Sequence, residues 1–422
     1  MGVKTRKLGN TLGLDVEWQG VQTGNFTTAA GRGYFVDTTS AGITVTLHSS
    51  PSQGDTVVLK DYARTWGSNN VTMTSTTFDG VSKAPTFETS GQTVTLVYMD
   101  NTKGWSLINE DTTTNLGVTF TEATGGTITT SGNFKIHTFT GDGCFVVSTG
   151  NSGPGSQIDY LVVAGGGSGG GDNGGGAGAG GFRTSNALGL PGPKTSPLAS
   201  PTGLTLTAAT YPITVGAGGA ARTHPDPNPN NGIRGSNSVF STITSTGGGG
   251  GMNTGPTPAY MPGGSGGGGR GSCNGSGNTP PVSPPQGNDG GAGGGPANAS
   301  GSGGGGGAGA AGAVATACVG GVGGIGSFIS TCFAVGCAGT SGPVSGARYF
   351  SGGGGGSPDN NPGGPQTGGP GGAGGGGQGT KRGGPNGVAG TANTGGGGGG
   401  GVNPGNSGAG GKGIVLIRYK FQ

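Results

Sequence analysis

The sequence is poor in both charged and apolar residues. Only 9% of its 422 residues are charged and only 29% are hydrophobic. The low charge argues against an open, solvated chain, because such chains are usually kept expanded by charge repulsion. The low hydrophobic content argues against one large conventional core. A net charge of only +3, with no recurring basic patch, is not typical of a nucleic-acid binder.

Several sequence features of other protein classes are missing. No apolar run approaches the roughly 18 residues of a transmembrane helix. The N-terminus lacks the apolar segment of a secretory signal peptide, so we expect synthesis in a cytoplasm. No C-x-x-C pair is present, so zinc is not expected and we predict reduced thiols. A disulfide among Cys318, Cys332 and Cys337 stays open as an alternative, and the other two cysteines are Cys144 and Cys273.

Glycine is the residue that the chain has in excess. Its 112 glycines and 26 prolines make up about a third of the sequence. Continuous glycine runs such as Gly303–Gly307 and Gly395–Gly401 alternate with irregular segments. Collagen needs glycine at every third position, which these runs do not follow. Silk-like sheets would need long Gly-Ala alternation, and only fragments of it occur.

Helices of the polyproline II type fit the glycine runs better. They have three residues per turn and no internal hydrogen bonds, so each N–H and C=O must find a neighbour. Glycine has no Cβ, so such helices can pack closely enough to hydrogen-bond one another through the backbone. We therefore predict that residues 165–422 form a polyglycine sandwich of packed polyglycine II helices. A terminal strand over 412–421 is expected to close it, with Val415, Ile417, Tyr419 and Phe421 on one face.

Strand patterns fill the rest of the chain, so the predicted fold class is all-β with polyglycine II. In residues 1–115, Ile43, Val45 and Leu47 alternate with threonines, which is typical of a half-buried strand. Turn signals between several such strands predict a small β-sandwich or barrel there. Residues 116–164 are predicted to be a strand-rich neck that opens the glycine-rich domain. Its last segment, 158–164, is continuously apolar, which indicates a strand covered on both faces.

Three segments carry a resemblance to a known family. They are the strand-to-glycine junction IDYLVVAGGG, the segment YPITVGAGG at 211–219 and the ending GIVLIRY. With these, residues from about 134 to the end resemble the glycine-rich domain of phage tail fibres and fibre-tip adhesins. Residues 34–108 resemble a β module near the start of phage fibre proteins, through GYFVDTT, GDTVVLKDYA and GQTVTLVYMDNTKGW.

The resemblance implies a function in host attachment. It implies a bacteriophage tail fibre or adhesin, a virion structural protein that is made in the host cytoplasm and is not an enzyme. The implied partners are a host-cell surface receptor, either a glycan or an outer-membrane protein, and other virion proteins through the N-terminal module. A homotrimer is expected. Three alternatives stay open: a purely structural capsid or tail fibre, a fibre that depolymerises polysaccharide, and an ice- or surface-binding protein.

Receptor contact is expected in the irregular segments between the glycine runs. These segments are 184–210, 220–237, 252–262, 272–286, 313–350, 357–366 and 380–394. Exposed aromatic side chains on rigidly supported loops are common binding anchors. The candidate receptor-binding residues are therefore Tyr260, Met261, Phe328, Phe333, Tyr349 and Phe350, with capping of the rod ends as the competing explanation. The apolar stretch 313–337 is expected to be either an exposed patch or a loop buried against the lattice or another subunit.

No residue pattern predicts catalysis, a cofactor or a metal. Residues 165–170 satisfy G-x-G-x-x-G, but glycine follows where a dinucleotide site needs a helix. The three histidines are scattered, and the acids of the glycine-rich zone are isolated in sequence. Asp226 and Asp359 begin Pro- and Asn-rich segments that lack calcium-loop spacing, so we expect turns there.

Overall fold

The computed structural model describes residues 16–108, 120–150, 157–190, 194–223, 230–253, 261–294, 301–316, 318–333, 338–359 and 366–421. These residues form strands, turns and irregular backbone, without a helix, so the predicted all-β class is confirmed. None of the described residues belongs to a helix long and apolar enough to cross a membrane. The chain divides into two compact units, Met1–Thr119 and Phe120–Gln422. The strands of the predicted neck thus share a unit with the glycine-rich region.

Two sheets make up the first unit. Its strands are β1 (Glu17–Trp18), β2 (Phe26–Thr27), β3 (Arg32–Val36), β4 (Ile43–Thr46), β5 (Thr56–Asp61), β6 (Val71–Met73), β7 (Thr76–Phe78), β8 (Val81–Lys83), β9 (Thr86–Phe87), β10 (Thr93–Asp100) and β11 (Gly104–Leu107). One sheet has the order β1-β3-β5-β10-β11-β7-β8 and the other β2-β4-β6-β9. Strands β1 to β6 alternate between the sheets and pair in parallel within each, so the chain winds between them as a coil.

A single apolar core lies between these two sheets. Its largest fully buried side chains are Trp66, Phe78 and Phe87, with Trp105 beside them. On β4, Ile43 and Val45 are buried, which confirms the predicted alternation. The sandwich prediction is confirmed and the barrel alternative is wrong, because neither sheet closes on itself.

The second unit contains a further sandwich beside the glycine-rich tracts. Its strands are β12 (Glu122–Thr124), β13 (Thr127–Ser131), β14 (Phe134–Phe139), β15 (Gly143–Thr149), β16 (Gln157–Val163), β17 (Phe182–Ser185), β18 (Ala199–Ser200), β19 (Leu204–Thr205), β20 (Ala209–Thr214), β21 (Ser238–Phe240), β22 (Ile243–Ser245), β23 (Ser327–Ser330), β24 (Ala347–Phe350) and β25 (Ile414–Lys420). One sheet has the order β12-β15-β20-β21-β22. The other runs β13-β14-β25-β16-β17-β18, with β19 also pairing with β16, and β23 and β24 form a separate hairpin.

Strands β16 and β25 are covered on both faces, as predicted for β16. One face, with Val162, Val415 and Ile417, packs against the five-stranded sheet. The other face, with Leu161 and Leu416, packs against residues of the β23–β24 hairpin and the loop that it encloses. The predicted closing strand is therefore confirmed as the centre of a sheet rather than an edge.

A buried ion pair joins these two central strands. Asp159 and Arg418 are opposite each other in register, with Nη1 of the arginine 3.4 Å from Oδ2 of the aspartate. Asp159 also accepts hydrogen bonds from the Ser185 hydroxyl and the Ala187 amide. The guanidinium of Arg418 lies 3.9 Å from the ring centroid of Phe134. Both charges are therefore paired although they are removed from solvent, as buried charges must be.

A second buried polar group is His137 on β14. Its Nδ1 lies 2.7 Å from the Gly125 carbonyl, so Nδ1 donates and Nε2 accepts from the Tyr419 hydroxyl at 3.0 Å. Burial lowers the pKa of His137 below its ordinary value. Burial likewise raises the pKa of Tyr419 to about 12. The pair is therefore neutral at physiological pH.

The glycine tracts form a hydrogen-bonded lattice with a period of three. Along the tract 165–171, every third amide donates to the same neighbouring segment, at 2.8–3.0 Å. The donors and acceptors are Gly166 to Gly411, Gly167 to Gly178, Ser168 to Ile233, Gly169 to Gly408, Gly170 to Gly175 and Gly171 to Asn230. Three residues per turn is the repeat of polyglycine II, whereas strand residues repeat every two.

The same tract is surrounded on all sides. Its carbonyls accept hydrogen bonds from three further segments. The donors are the Gly219 amide in the first segment, the Gly248 and Gly251 amides in the second, and the Gly398 and Gly401 amides in the third. Three segments accept hydrogen bonds from the tract and three others donate to it, so the tract has six neighbours, which is hexagonal packing. The predicted lattice of polyglycine II helices is confirmed.

Close backbone approach explains why the tracts need glycine. A Cβ added at Gly166 would lie 2.1 Å from the carbonyl oxygen of Gly396, and one at Gly169 would lie 2.1 Å from that of Gly399. Small side chains occur at selected points: Ser168 is fully buried, and its hydroxyl accepts from the Ile233 amide. The lattice interior is therefore backbone packed on backbone.

Candidate functional site

The lattice has two different ends. Strand β16 runs directly into the tract 165–171, and β17 directly follows the tract 174–181. These two tracts are antiparallel, because Gly167 bonds Gly178 and Gly170 bonds Gly175. The turn between them at 172–173 therefore lies away from the strands. We call the strand side the sheet end and the opposite side the free end.

Hydrogen-bond registers assign the other turns to one end or the other. The Gly401 amide donates to the Gly170 carbonyl, so the turn at 402–406 that follows Gly401 lies at the free end. The Ser407 amide, on the other side of this turn, donates to the Arg222 carbonyl, so residues 220–223 lie at the free end as well. By the same reasoning the described residues at the free end are 172–173, 220–223, 230–231, 253, 270–274, 318–319, 358–359, 366–367, 381–386 and 402–406. The sheet end carries the strands and the turns at 279–285, 309–311, 374–375 and 392–394.

The segments expected to be receptor loops are thus divided between the two ends. The described residues of segment 184–210 lie at the sheet end, as do the strands β23 and β24 of segment 313–350. Segments 272–286 and 380–394 each contribute a turn to both ends. Parts of five predicted loops lie outside the described residues, namely 191–193, 224–229, 254–260, 317 with 334–337, and 360–365.

Polar side chains connect neighbouring loops across the free end. Nε of Arg222 donates to the Asn231 carbonyl at 2.8 Å. The Asn231 side-chain oxygen accepts from the Asn253 amide at 2.8 Å, and Nη1 of Arg270 reaches the Asn253 side-chain oxygen at 3.3 Å. These bonds link three successive free-end loops, so each loop limits the motion of the next.

A second set of bonds extends this network to the last two free-end loops. The Arg222 amide donates to the Ser407 hydroxyl at 2.9 Å, and the Asn406 amide donates to Oδ1 of Asn386 at 2.9 Å. Beside Asn386, Lys381 and Arg382 are exposed. The described free end is therefore a cross-linked surface of amides and cations, which suits hydrogen-bonded or anionic ligands.

Some buried polar atoms at this end lack a partner in the described structure. They are Oδ1 of Asn173, Oδ1 of Asn230 and Nε of Arg270. Native buried polar atoms are nearly always hydrogen-bonded to protein or water. These atoms mark positions where ordered water or a ligand would add bonds.

The four predicted aromatic anchors that the structure describes do not lie at the free end. Phe328 and Tyr349 are on the β23–β24 hairpin, where their ring centroids are 5.2 Å apart. Phe333 and Phe350 are fully buried in the core behind β25. These four residues thus lie at the sheet end, where Phe333 and Phe350 cover one face of the seven-stranded sheet.

The exposure expected of these residues is also not found. Met261, Phe333, Tyr349 and Phe350 are only 0–4% exposed, and Phe328 is half-buried. The expectation of exposed anchors is therefore wrong for the four buried side chains, and Phe333 and Phe350 are buried because they complete the apolar core behind β25. Tyr260 lies outside the described residues, and receptor contact by any of the six stays a prediction.

In the apolar stretch 313–337, some side chains are buried and others are exposed, so each of the two expectations holds for part of it. Ile329 and Phe333 are buried against the seven-stranded sheet. Val314, Val319 and Val322 are instead 63%, 40% and 45% exposed on two adjoining lattice tracts. Residues 334–337 lie outside the described part of the chain.

Groups for other chemistry are sparse in the described residues. Cys144, Cys273, Cys318 and Cys332 are free, and Cys337 lies outside the described part. Within the described residues no three His, Cys, Asp or Glu side chains cluster so that they could hold a metal ion. Residues 165–170, which match G-x-G-x-x-G, form a lattice tract that ends in the turn at 172–173.

Comparison with known proteins identifies the family of the second unit. A glycine-rich domain family model matches residues 140–420, which is more than half of the chain. The chain therefore belongs to the glycine-rich domain family. No curated protein matches it. The matched range begins in the turn between β14 and β15 and ends with β25, so it includes the lattice and the strands β15 to β25 but not β12 to β14.

Proposed function

We propose that this chain is a bacteriophage tail fibre or adhesin that attaches to a host-cell surface receptor through the free end of the lattice. The observation that carries the proposal is the separation of the two ends. Strands close one end, while loops of varied sequence leave the other. The resemblance to phage fibre proteins supplies the biological context, and membership of the glycine-rich domain family is consistent with it.

Rigid support of the free-end loops favours a binding role. The turn at 172–173 is held by two neighbouring segments, since the Asn173 amide donates to the Gly401 carbonyl at 2.7 Å and the Asn173 carbonyl accepts from the Ser302 hydroxyl at 2.6 Å. Loops that are ordered before binding lose less conformational entropy when a ligand binds. A stiff pedestal of packed backbones therefore raises the affinity available to short, variable loops.

The polar character of the free end favours a polar receptor surface. Arginine and asparagine side chains supply several donors that are already oriented by loop-to-loop bonds. Exposed Lys381 and Arg382 add positive charge. A glycan, or a polar extracellular loop of an outer-membrane protein, matches this chemistry better than an apolar surface does.

The remaining parts of the proposal rest on the resemblance. We propose that the first unit attaches the chain to other virion tail or fibre proteins, and that the fibre is a homotrimer. We also propose that the protein is made in the host cytoplasm, ends up in the virion and has no enzymatic activity.

A charge-reversal pair tests the proposed attachment site. Full-length protein is incubated with cells of bacterial strains that the phage infects, and whole phage serves as competitor. The variant Lys381→Glu/Arg382→Glu should bind at least about 10-fold more weakly, because two exposed cations become anions at the free end. The control Lys194→Glu/Lys412→Glu carries the same charge change at the sheet end and should bind like the unchanged protein.

Other outcomes would contradict the proposal. Equal loss in both variants would place the receptor site elsewhere. No binding of the unchanged protein to cells that the phage infects would favour a purely architectural fibre. Shortened chains after incubation with host polysaccharide would favour a depolymerase.

A further inference from the structure

The first unit contains a cavity of about 400 Å³ that opens between its two sheets. It lies where β4, β6 and β10 end and where β7 and β11 begin, so both sheets contribute to its walls. All of its lining residues are among the described residues. The volume is within the range of sites that hold small ligands.

The cavity is lined by uncharged hydrogen-bonding groups. Lysine, arginine, aspartate and glutamate are absent from its described lining, so neither an anion nor a cation finds a counter-charge there. Hydroxyl groups dominate its wall, and they belong to Thr46, Ser49, Thr74, Ser75, Thr76 and Thr77. A neutral ligand with several hydroxyl groups matches this lining best.

Two hydroxyls are paired across neighbouring strands. The Oγ1 atoms of Thr46 and Thr74 are 2.8 Å apart, at the ends of the parallel strands β4 and β6. Each hydroxyl has one donor and two acceptor positions, and the bond between them uses one donor and one acceptor. The pair therefore keeps one donor and several acceptor positions for a ligand hydroxyl.

A third polar group is already oriented at the rim. The Tyr98 hydroxyl donates to Oδ1 of Asn101 at 2.6 Å, which fixes the amide of this exposed residue. Asn101 is itself one of the lining residues, so this amide stands at the cavity, in the turn that follows β10. An amide held in this way donates well to sugar oxygens.

The cavity floor and His48 complete the arrangement. Leu47, Tyr98 and Trp105 are buried in the floor and give it an apolar surface for the C–H face of a ring. His48 packs edge-on against Trp105 at 5.3 Å, and its Nε2 lies 3.2 Å from Oδ2 of Asp55. Its buried Nδ1 has no hydrogen-bond partner in the described structure.

We propose that this cavity, the Thr46–Thr74 cavity, binds a neutral saccharide unit. The assignment combines paired hydroxyls, an oriented amide, an apolar floor and an uncharged lining in one cavity of suitable size. It gives the first unit a binding activity of its own, independent of the receptor contact proposed for the free end.

Saturation-transfer NMR on the full-length protein tests this site. The probes are glucose, galactose and N-acetylglucosamine, with glucuronate and glucosamine as charged comparators. At least one neutral sugar should receive saturation from the protein. Thr74→Val replaces a hydroxyl by a methyl of similar size, so we expect about 3- to 10-fold weaker binding.

The control is Thr93→Val, which removes an exposed hydroxyl at the start of β10, outside the cavity. It should leave the sugar signal unchanged. Asn101→Ala, in an exposed turn, is a second variant that should weaken binding without affecting folding. No transfer to any neutral sugar, equal signals for Thr74→Val and Thr93→Val, or tighter binding of a charged comparator would each overturn the proposal.

Discussion

The lattice makes a sharp prediction for Gly398, near the middle of the tract 395–401. A Cβ at this position would lie 2.1 Å from the Gly408 carbonyl oxygen and 2.6 Å from that of Ala409. Real contacts of this kind are essentially never below 3.0 Å. The substitution Gly398→Val therefore forces the segment 407–413 away by about 1 Å.

The cost follows from the bonds that this segment makes. Gly408 and Gly411 donate to the tract of Gly398, and their carbonyls accept from Gly169 and Gly166. Each of these four hydrogen bonds contributes about 1 kcal/mol, so losing between two and four of them should lower the free energy of unfolding by about 2–4 kcal/mol. Overpacked cores lose about 1–3 kcal/mol, which is similar. At about 2 °C per kcal/mol for a large unit, we expect Tm to fall by roughly 4–8 °C.

The matched control is Gly141→Val, in the turn between β14 and β15. The nearest group to its added Cβ is the flexible end of Lys412, at 3.7 Å, so the change should cost less than about 0.5 kcal/mol. Calorimetry of the full-length variants compares the two. Gly398→Ala should show most of the loss, because the Cβ itself makes the clash. Equal melting temperatures for Gly398→Val and Gly141→Val would refute the backbone-packed lattice.

Two further predictions concern the buried polar groups of the sandwich. Arg418→Met leaves Asp159 as an unpaired buried charge and should lower the free energy of unfolding, measured in urea, by about 3–5 kcal/mol. The control Lys420→Met, on the same strand, should have little effect. A loss below about 1 kcal/mol for Arg418→Met would contradict the ion-pair argument. Burial lowers the pKa of His137, so the unfolded chain binds a proton at this residue more readily than the folded chain does. The stability that neutral His137 contributes is therefore complete above pH 6.5 and is lost as the pH falls below 6.5. His137→Gln should flatten the pH dependence of Tm between pH 8 and 5, and an unchanged slope would rule out this residue as its source.

The lattice is a core built from backbone rather than from side chains. Ordering glycine costs more backbone entropy than ordering any other residue, so one tract alone would not persist. Each interior tract, such as 165–171, is instead bonded by six neighbours. The central sheet strands β16 and β25 then join the lattice to a conventional apolar core. Cooperative folding of tracts and sheet follows from this connection.

The sequence alone determined the parts of the fold that depend on local chemistry. Uninterrupted glycine runs without a three-residue sequence repeat favoured polyglycine II packing over collagen, and such packing satisfies the amides through neighbouring helices. The apolar character of 158–164, interrupted only at Asp159, was enough to predict cover on both faces of β16, because an exposed face would show alternating polar residues. Both predictions are confirmed, since each depends on a few adjacent residues.

The tertiary structure decided which end of the lattice each loop occupies and which side chains are exposed. The direction of a glycine tract is set by its register with distant tracts, and glycine carries no side chain that records that register. The aromatic residues of 328–350 look like exposed loop anchors in the sequence. Phe333 and Phe350 are buried because the second face of the sheet at β25, far away in sequence, needs an apolar cover.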